Sequence, residues 1–323
     1  MTTIDIESTK QYLIAMGVYY PRNHPIFTCS GGSPMGYIFE RDREFSYRCS
    51  GTNIQGQQCC KRERKTERID SFFAKRHLSV NLVLEGMFYW LNKIPRMTIS
   101  SMLGCSPEST RNLISGIHQL IQMDLMNEDI QIGGLDSNGN PIIVEIDESK
   151  FGKRKYYRGH RVEGVWVLGG IERTADRKTF LVTVPQRDAE TLLQIIKKYV
   201  RPESIIYTDW WAAYGGLESV INSNYTHKTV NHSVEYVTSD GVHTNTIEGL
   251  WNGIKMNCSP RLRTKKMMPW LLMEFIWRRK YEGKLWEGLL KTLKEVSFGN
   301  IESTAIFTDF EFIYDNNEES SED

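Results

Sequence analysis

Val242-His-Thr-Asn-Thr-Ile-Glu-Gly-Leu-Trp251 is the stretch from which the rest of the chain is best read. Ile247, Leu250, Trp251 and Ile254 recur at i, i+3, i+4 and i+7, the spacing of one buried face of a helix. Glu248 lies beside that stripe, so the helix can seat its apolar face on a core and hold a carboxylate at the rim. A plainer reading competes with this one. Asn245 as N-cap with Glu248 three residues on is a capping box, which satisfies helix-end amides and needs no catalysis. What decides between them is whether other carboxylates reach the same place.

Working back from this stretch, Pro141 opens an α/β text. Residues 142–147 read as a strand with Ile142, Val144 and Ile146 on one face and Ile143, Glu145 and Asp147 on the other. Residues 164–171 and 179–184 read as two more strands, making an antiparallel meander with the first. A helix is predicted over 188–200, a fourth strand over 204–209 ending on Asp209, a helix over 212–221, a short strand over 226–230 and a long helix over 267–285. Three strands, a helix, a strand and a late helix bearing an acid is the order of an RNase H-like fold. The fold class expected for residues 141–285 is therefore α/β, a mixed sheet with flanking helices.

That plan has three acidic slots: mid-sheet on the first strand, the C-terminal end of the fourth strand, and a late helix over the sheet. Asp147, Asp209 and Glu248 occupy them. Phosphodiester chemistry with two Mg²⁺ or Mn²⁺ ions needs such hard oxygen ligands, one ion activating the attacking water or 3′-hydroxyl and the other stabilising the leaving oxygen. Taken singly, Asp147 and Asp209 are better read as caps of the segments that follow them; it is the trio in order that points to a metal site.

Three long motifs sharpen this. Val144-Glu-Ile-Asp-Glu-Ser-Lys-Phe-Gly-Lys-Arg-Lys-Tyr-Tyr-Arg-Gly-His-Arg161, Tyr207-Thr-Asp-Trp-Trp-Ala-Ala-Tyr214 and His243-Thr-Asn-Thr-Ile-Glu-Gly-Leu-Trp251 resemble the motifs of ISXO2-like transposase domains, known from bacterial insertion sequences of the IS1016/IS1595 group and from eukaryotic Merlin transposons. The resemblance covers roughly residues 141–282. It implies a DDE transposase with Asp147, Asp209 and Glu248 as the acidic triad. It also implies double-stranded DNA as partner, in the form of terminal inverted repeats and target, and a homodimer or larger synaptic oligomer. Lys150, Lys153, Arg154, Lys155 and Arg158 follow the first Asp and are candidate phosphate contacts, with a solvated hairpin loop as the bland alternative. His243 and Asn245 are within a turn of Glu248 and are candidates to orient it or to touch the scissile phosphate. Trp210, Trp211 and Trp251 read as packing residues.

Upstream, residues 1–78 contain a candidate amphipathic helix over 5–18 and then Gly, Ser and Cys text with short strand-like runs. Cys29, Cys49, Cys59 and Cys60 are a candidate Zn²⁺ knuckle, with scattered buried thiols as the alternative, because structural zinc modules usually supply Cys-x2-Cys pairs and none is present. The family's upstream part often carries a zinc ribbon; here its paired cysteines are broken, whereas Asp70-Ser-Phe-Phe73 fits the family. Residues 79–130 read as helix, short helix, turn and helix. Ser106 serves as N-cap and Pro107 as N1 of the last helix, which points Leu113, Ile114, Ile117, Leu120 and Ile121 inward and leaves Arg111, Asn112, His118 and Gln119 elsewhere. That is a helix-turn-helix plan, with Arg111 and Asn112 as candidate DNA contacts, and a plain helical bundle is the competing account.

The net charge is zero, 40 basic residues against 40 acidic, which excludes a uniformly basic nucleic-acid binder. The charges are nevertheless segregated. Residues 150–161 hold six Lys or Arg and no acid, 255–284 hold nine against two acids, and the last 22 residues hold eight acids and no base. Basic blocks around an acidic centre suit a polyanion. The acidic tail, residues 300–323, reads as partly disordered. No apolar run is long enough to span a bilayer, and the first residues lack a signal-peptide pattern, so an intracellular protein is expected, nuclear in a eukaryote and in the cytoplasm or nucleoid of a bacterium. Two other functions fit parts of this text: a domesticated relative that binds DNA as a regulator without cutting, and an RNase H-like nuclease that does not transpose.

Overall fold

The computed structural model describes residues 5–39, 45–74, 76–126, 129–152, 164–231 and 241–296. Two units are distinguished, one of Met1–Asp124 with Tyr281–Phe307 and one of Leu125–Lys280 with Thr308–Asp323.

The first unit opens with α1 (Ile6–Ala15), whose first-turn amides Glu7 N and Ser8 N donate to the Asp5 carboxylate at 2.9 and 3.0 Å. A small antiparallel sheet follows, β1 (Gly36–Phe39), β2 (Phe45–Arg48) and β3 (Arg64–Thr66), in that spatial order. Then come α2 (Val80–Leu91), α3 (Arg96–Leu103) and α4 (Pro107–Met126). Gly104, at φ 61°, ends α3, and the Ser106 hydroxyl accepts from Ser109 N at 3.0 Å, with Pro107 first in the helix. The helix, short helix, turn, helix order is as expected. The placing of His118 is not: it is buried and meets Trp90 edge-on, because α4 is covered on more than one side. The unit also holds the last helix among the described residues, Leu285–Glu295, labelled α8 below and not foreseen from sequence.

The second unit is built on a five-stranded mixed sheet. Its strands in chain order are β4 (Ile132–Gly133), β5 (Ile143–Phe151), β6 (Val165–Glu172), β7 (Thr179–Val184), β8 (Val200–Arg201), β9 (Ile205–Asp209) and β10 (Thr226–Val230), of which β4 and β8 form a separate parallel pair. The main sheet runs β10-β9-β5-β6-β7; β5, β6 and β7 are antiparallel neighbours, while β9 runs parallel to both β5 and β10. This order and these directions are consistent with an RNase H-like transposase domain.

Strand alternation sorts β5 onto two faces. Val144 and Ile146 pack with Leu168, Ile206 and the stripe Leu192, Ile195 and Ile196 of α5 (Ala189–Tyr199), a helix capped by Asp188. Phe151, with Val165, Val167 and Ile171, packs on the other face against Ile247, Leu250, Trp251 and Ile254 of α6 (Asn245–Asn257) and Met268 and Leu272 of α7 (Met268–Lys280). Two predicted helices need correction. Residues 212–221 form two 3₁₀ turns, Ala212–Tyr214 and Leu217–Ser219, separated by Gly215-Gly216. The long helix stops at Lys280 because the chain turns through Gly283 at φ 75° before α8 begins. Among the described residues no helix is long and apolar enough to cross a membrane.

Candidate active site

Asp147 sits mid-strand on the α6 face of β5. Its Oδ2 accepts from Trp251 Nε1 at 2.8 Å. The indole can come so close because Gly169, the β6 partner of Asp147, has no side chain: a Cβ there would stand 2.6 Å from Trp251 Cη2. Asp209 ends β9. The parallel register pairs Val144 with Ile206 and Glu145 with Tyr207, and carrying it two residues further sets Asp209 alongside Asp147. Glu248, in the first turn of α6, is exposed beside the buried stripe. Burial of the Asp147 carboxyl pushes its pKa up, the Trp251 hydrogen bond opposes this, and the nearby negative charges of Asp209 and Glu248 push it further up. Asp209 and Glu248, the other two carboxylates that the sequence picked out, are thus both near enough to Asp147 to act on its charge.

The capping box is not what starts α6. Thr244 occupies the N-cap position, without a side-chain cap bond, and Asn245 is already helical. The first-turn amide that a cap side chain would take, Ile247 N, donates instead to Glu145 Oε2 at 2.9 Å, and Thr246 Oγ1 donates to Glu145 Oε1 at 2.7 Å. Asn245 N donates to His243 Nδ1 at 3.3 Å, and His243 meets Arg173, so the ring supports the helix start.

Sequence reasoning missed Glu148, a further acid in this neighbourhood. Alternation sends it to the α5 face, where it accepts a hydrogen bond from the buried Tyr214 hydroxyl. Burial raises its pKa to about 7, with the Tyr214 bond and Arg187 opposing and the charges of Asp147 and Asp209 adding to the rise. The doublet Asp147-Glu148 was the available signal, since adjacent strand residues must face opposite sides.

Of the candidate phosphate contacts, Lys150 is exposed, its ammonium 5.2 Å from the Trp166 ring. Lys153, Arg154, Lys155 and Arg158 lie outside the described residues. Arg187 stacks over Trp166 at 3.6 Å and faces Trp211 at 4.9 Å. A cleft of about 420 Å³ runs beside α6, lined by Asn245, Thr246, Gly249, Arg177 and Arg279 among others. Trp210, expected to pack, is 70% exposed immediately after Asp209.

In the first unit, Arg111 and Asn112 are exposed on α4, Arg111 paired with Glu108 at 2.6 Å. The ligand atoms of Cys29, Cys49, Cys59 and Cys60 all lie within 4.8 Å of one another. Two turns do what Cys-x2-Cys pairs would have done: Ser33 N donates to Cys29 Sγ and Gly51 N to Cys49 Sγ, both at 3.4 Å. Gly31 is required here, since a Cβ on it would fall 2.1 Å from the Cys59 carbonyl oxygen. Tetrahedral Zn–S bonds imply S···S edges of about 3.8 Å, so the cluster fits zinc.

Residues 137–279 match the family model of the ISXO2-like transposase domain. The assignment made from the three motifs is thereby shown for this part of the chain. A transposase-like protein of Haemophilus influenzae is 36% identical over 78 residues, which make up 24% of this chain and 60% of that relative. The chain therefore spans less than two thirds of the length of the curated relative it matches.

Proposed function

We propose that the protein is a DDE transposase that cleaves phosphodiester bonds at transposon ends and joins the 3′-hydroxyl to target DNA. What supports this reading is that Asp209 and Glu248 both lie near enough to Asp147 to act on its charge, in an ISXO2-like domain. An all-carboxylate, all-oxygen donor set suits Mg²⁺ or Mn²⁺. A pair of such ions, when bound, supplies Lewis acidity to the attacking and leaving oxygens. The chain's own contribution is positional: β5 and β9 hold two ligands rigidly, α6 brings the third, and Trp251 fixes the Asp147 carboxylate. Lys150 and Arg187, both beside Trp166, and the cleft arginines Arg177 and Arg279 are basic groups suited to phosphates, as are Lys153, Arg154, Lys155 and Arg158 on sequence grounds. In the same reading α3 and α4 form a helix-turn-helix that presents Arg111 and Asn112 to DNA, the four cysteines hold a structural zinc, and two or more copies act on paired ends.

The test is incubation of the protein with a duplex carrying the terminal repeats that flank its gene, in Mg²⁺ or Mn²⁺, beside Asp209→Ala. Strand cleavage by the parent protein and none by the variant is expected. Equal cleavage by both overturns the triad; binding without cleavage by either identifies a DNA-binding regulator instead.

A further inference from the structure

Glu145 is fully buried, two residues before Asp147 on the same face of β5. A carboxylate withdrawn from water is tolerated only when its oxygens are engaged and a countercharge is close. Both conditions are met. Oε1 accepts from Arg173 Nε at 2.5 Å and from Thr246 Oγ1 at 2.7 Å, and Oε2 accepts from Ile247 N. Arg173 directly follows β6 and has a second arm: its Nη2 donates to the His243 carbonyl at 2.8 Å and meets His243 Nδ1 at 2.6 Å. A guanidinium has no acceptor, so Nδ1 carries the lone pair and the ring hydrogen sits on Nε2. The same guanidinium lies 4.7 Å from the Tyr207 ring centroid.

The members of this cluster stand in a fixed relation to the site. Asp147 comes two residues after Glu145, Asp209 two after Tyr207, and Glu248 one after Ile247. The apolar contacts between α6 and the sheet hold the helix down, but apolar contact is non-directional and leaves rotation of its first turn weakly determined. Hydrogen bonds to a fixed carboxylate determine it.

We propose that Glu145 and Arg173 are positioning residues. Their ion pair, buried at Glu145 and half-buried at Arg173, locks the first turn of α6 against β5 and β9, so that Asp147, Asp209 and Glu248 hold the arrangement that accepts divalent cations. This rests on the DDE reading of the site. It differs from simple helix capping, which would govern stability and leave cation affinity unchanged.

The deciding measurement is Mn²⁺ binding by the full-length protein, followed by calorimetric titration without DNA, together with thermal melting. The variants are Glu145→Gln, Arg173→Ala, Arg173→Lys and Thr246→Val, with Asp147→Ala as control. Groups that orient metal ligands typically govern affinity by about 10- to 100-fold. Glu145→Gln and Arg173→Ala are expected to weaken Mn²⁺ binding at the low end of that range or beyond, Arg173→Lys to restore part of it, and Thr246→Val to weaken it while melting close to the parent protein. If Arg173→Ala or Glu145→Gln does not fold, Thr246→Val and Arg173→Lys decide, and an unaltered Mn²⁺ midpoint in both overturns the positioning role. Equal Mn²⁺ binding by the parent and Asp147→Ala overturns the triad itself and the proposal with it, an outcome the control separates from the first.

Discussion

The Trp251 indole lies across Gly169 and donates its only hydrogen bond to Asp147, so one side chain closes the core beneath the site and aims a carboxylate above it. These two tasks can be separated. Trp251→Phe keeps most of the packing and removes the donor; hydrogen bonds to charged groups are worth about 1.5–3 kcal/mol, and a loss in that range is expected in urea melts. Gly169→Ala does the opposite. It keeps the donor and puts a methyl 2.6 Å from the ring and 3.0 Å from Leu181. Overpacking of this kind costs about 1–3 kcal/mol and, here, tilts the indole off Asp147. Both variants are therefore expected to melt earlier and to need more Mg²⁺ for cleavage. Cleavage that is unchanged in both, measured against Mg²⁺ concentration, would remove Trp251 from the account of the site.

At the scale of elements, what was legible in sequence was whatever local pattern specifies. The stripe Ile247, Leu250, Trp251 and Ile254 gave α6, alternation gave the faces of β5, and Ser106-Pro107 gave the start of α4. The cap of α6 was not legible, because the group that takes Ile247 N is Glu145, a hundred and two residues earlier in the chain. The four cysteines were legible as a candidate Zn²⁺ knuckle, and their thiols do gather; what the spacing did not show is that turns rather than Cys-x2-Cys pairs bring them together. Residues 212–221 misled because apolar spacing continues through Gly215-Gly216, where the backbone does not hold a helix. For α4 a prediction follows from exposure. The Arg111–Glu108 pair is more than half exposed on both sides, and such pairs contribute about 0–1 kcal/mol. Arg111 can exchange that partner for a phosphate at small cost. Arg111→Ala is expected to leave the melting curve nearly unchanged, to weaken binding to terminal-repeat duplex, and to lower the log–log salt slope by about one. An unchanged salt slope would assign Arg111 to the solvated face.

Across the whole molecule, the sheet of the second unit and the β1–β3 region of the first are stabilised by different means. The sheet of the second unit is packed on both faces by helices, with fully buried Val144, Ile146, Leu192, Ile195, Ile247 and Ile254 among the residues that close it. The β1–β3 region of the first has strands of three or four residues and a small core of Phe27, Cys29, Met35, Tyr47 and Cys49. A core this small rarely suffices alone, and in modules of this size a bound metal commonly supplies the missing folding energy. Zinc at the four cysteines would therefore act on one part of the molecule and leave the other alone. Protein purified without chelator is expected to carry about one equivalent of zinc, read by elemental analysis. Removing it, or introducing Cys49→Ser, is expected to expose the amides of residues 36–66 to hydrogen exchange while those of β5, β6 and β9 stay protected. Less than about half an equivalent of zinc in the parent protein, or unaltered exchange over 36–66 after its removal, would return the cysteines to the role of buried thiols.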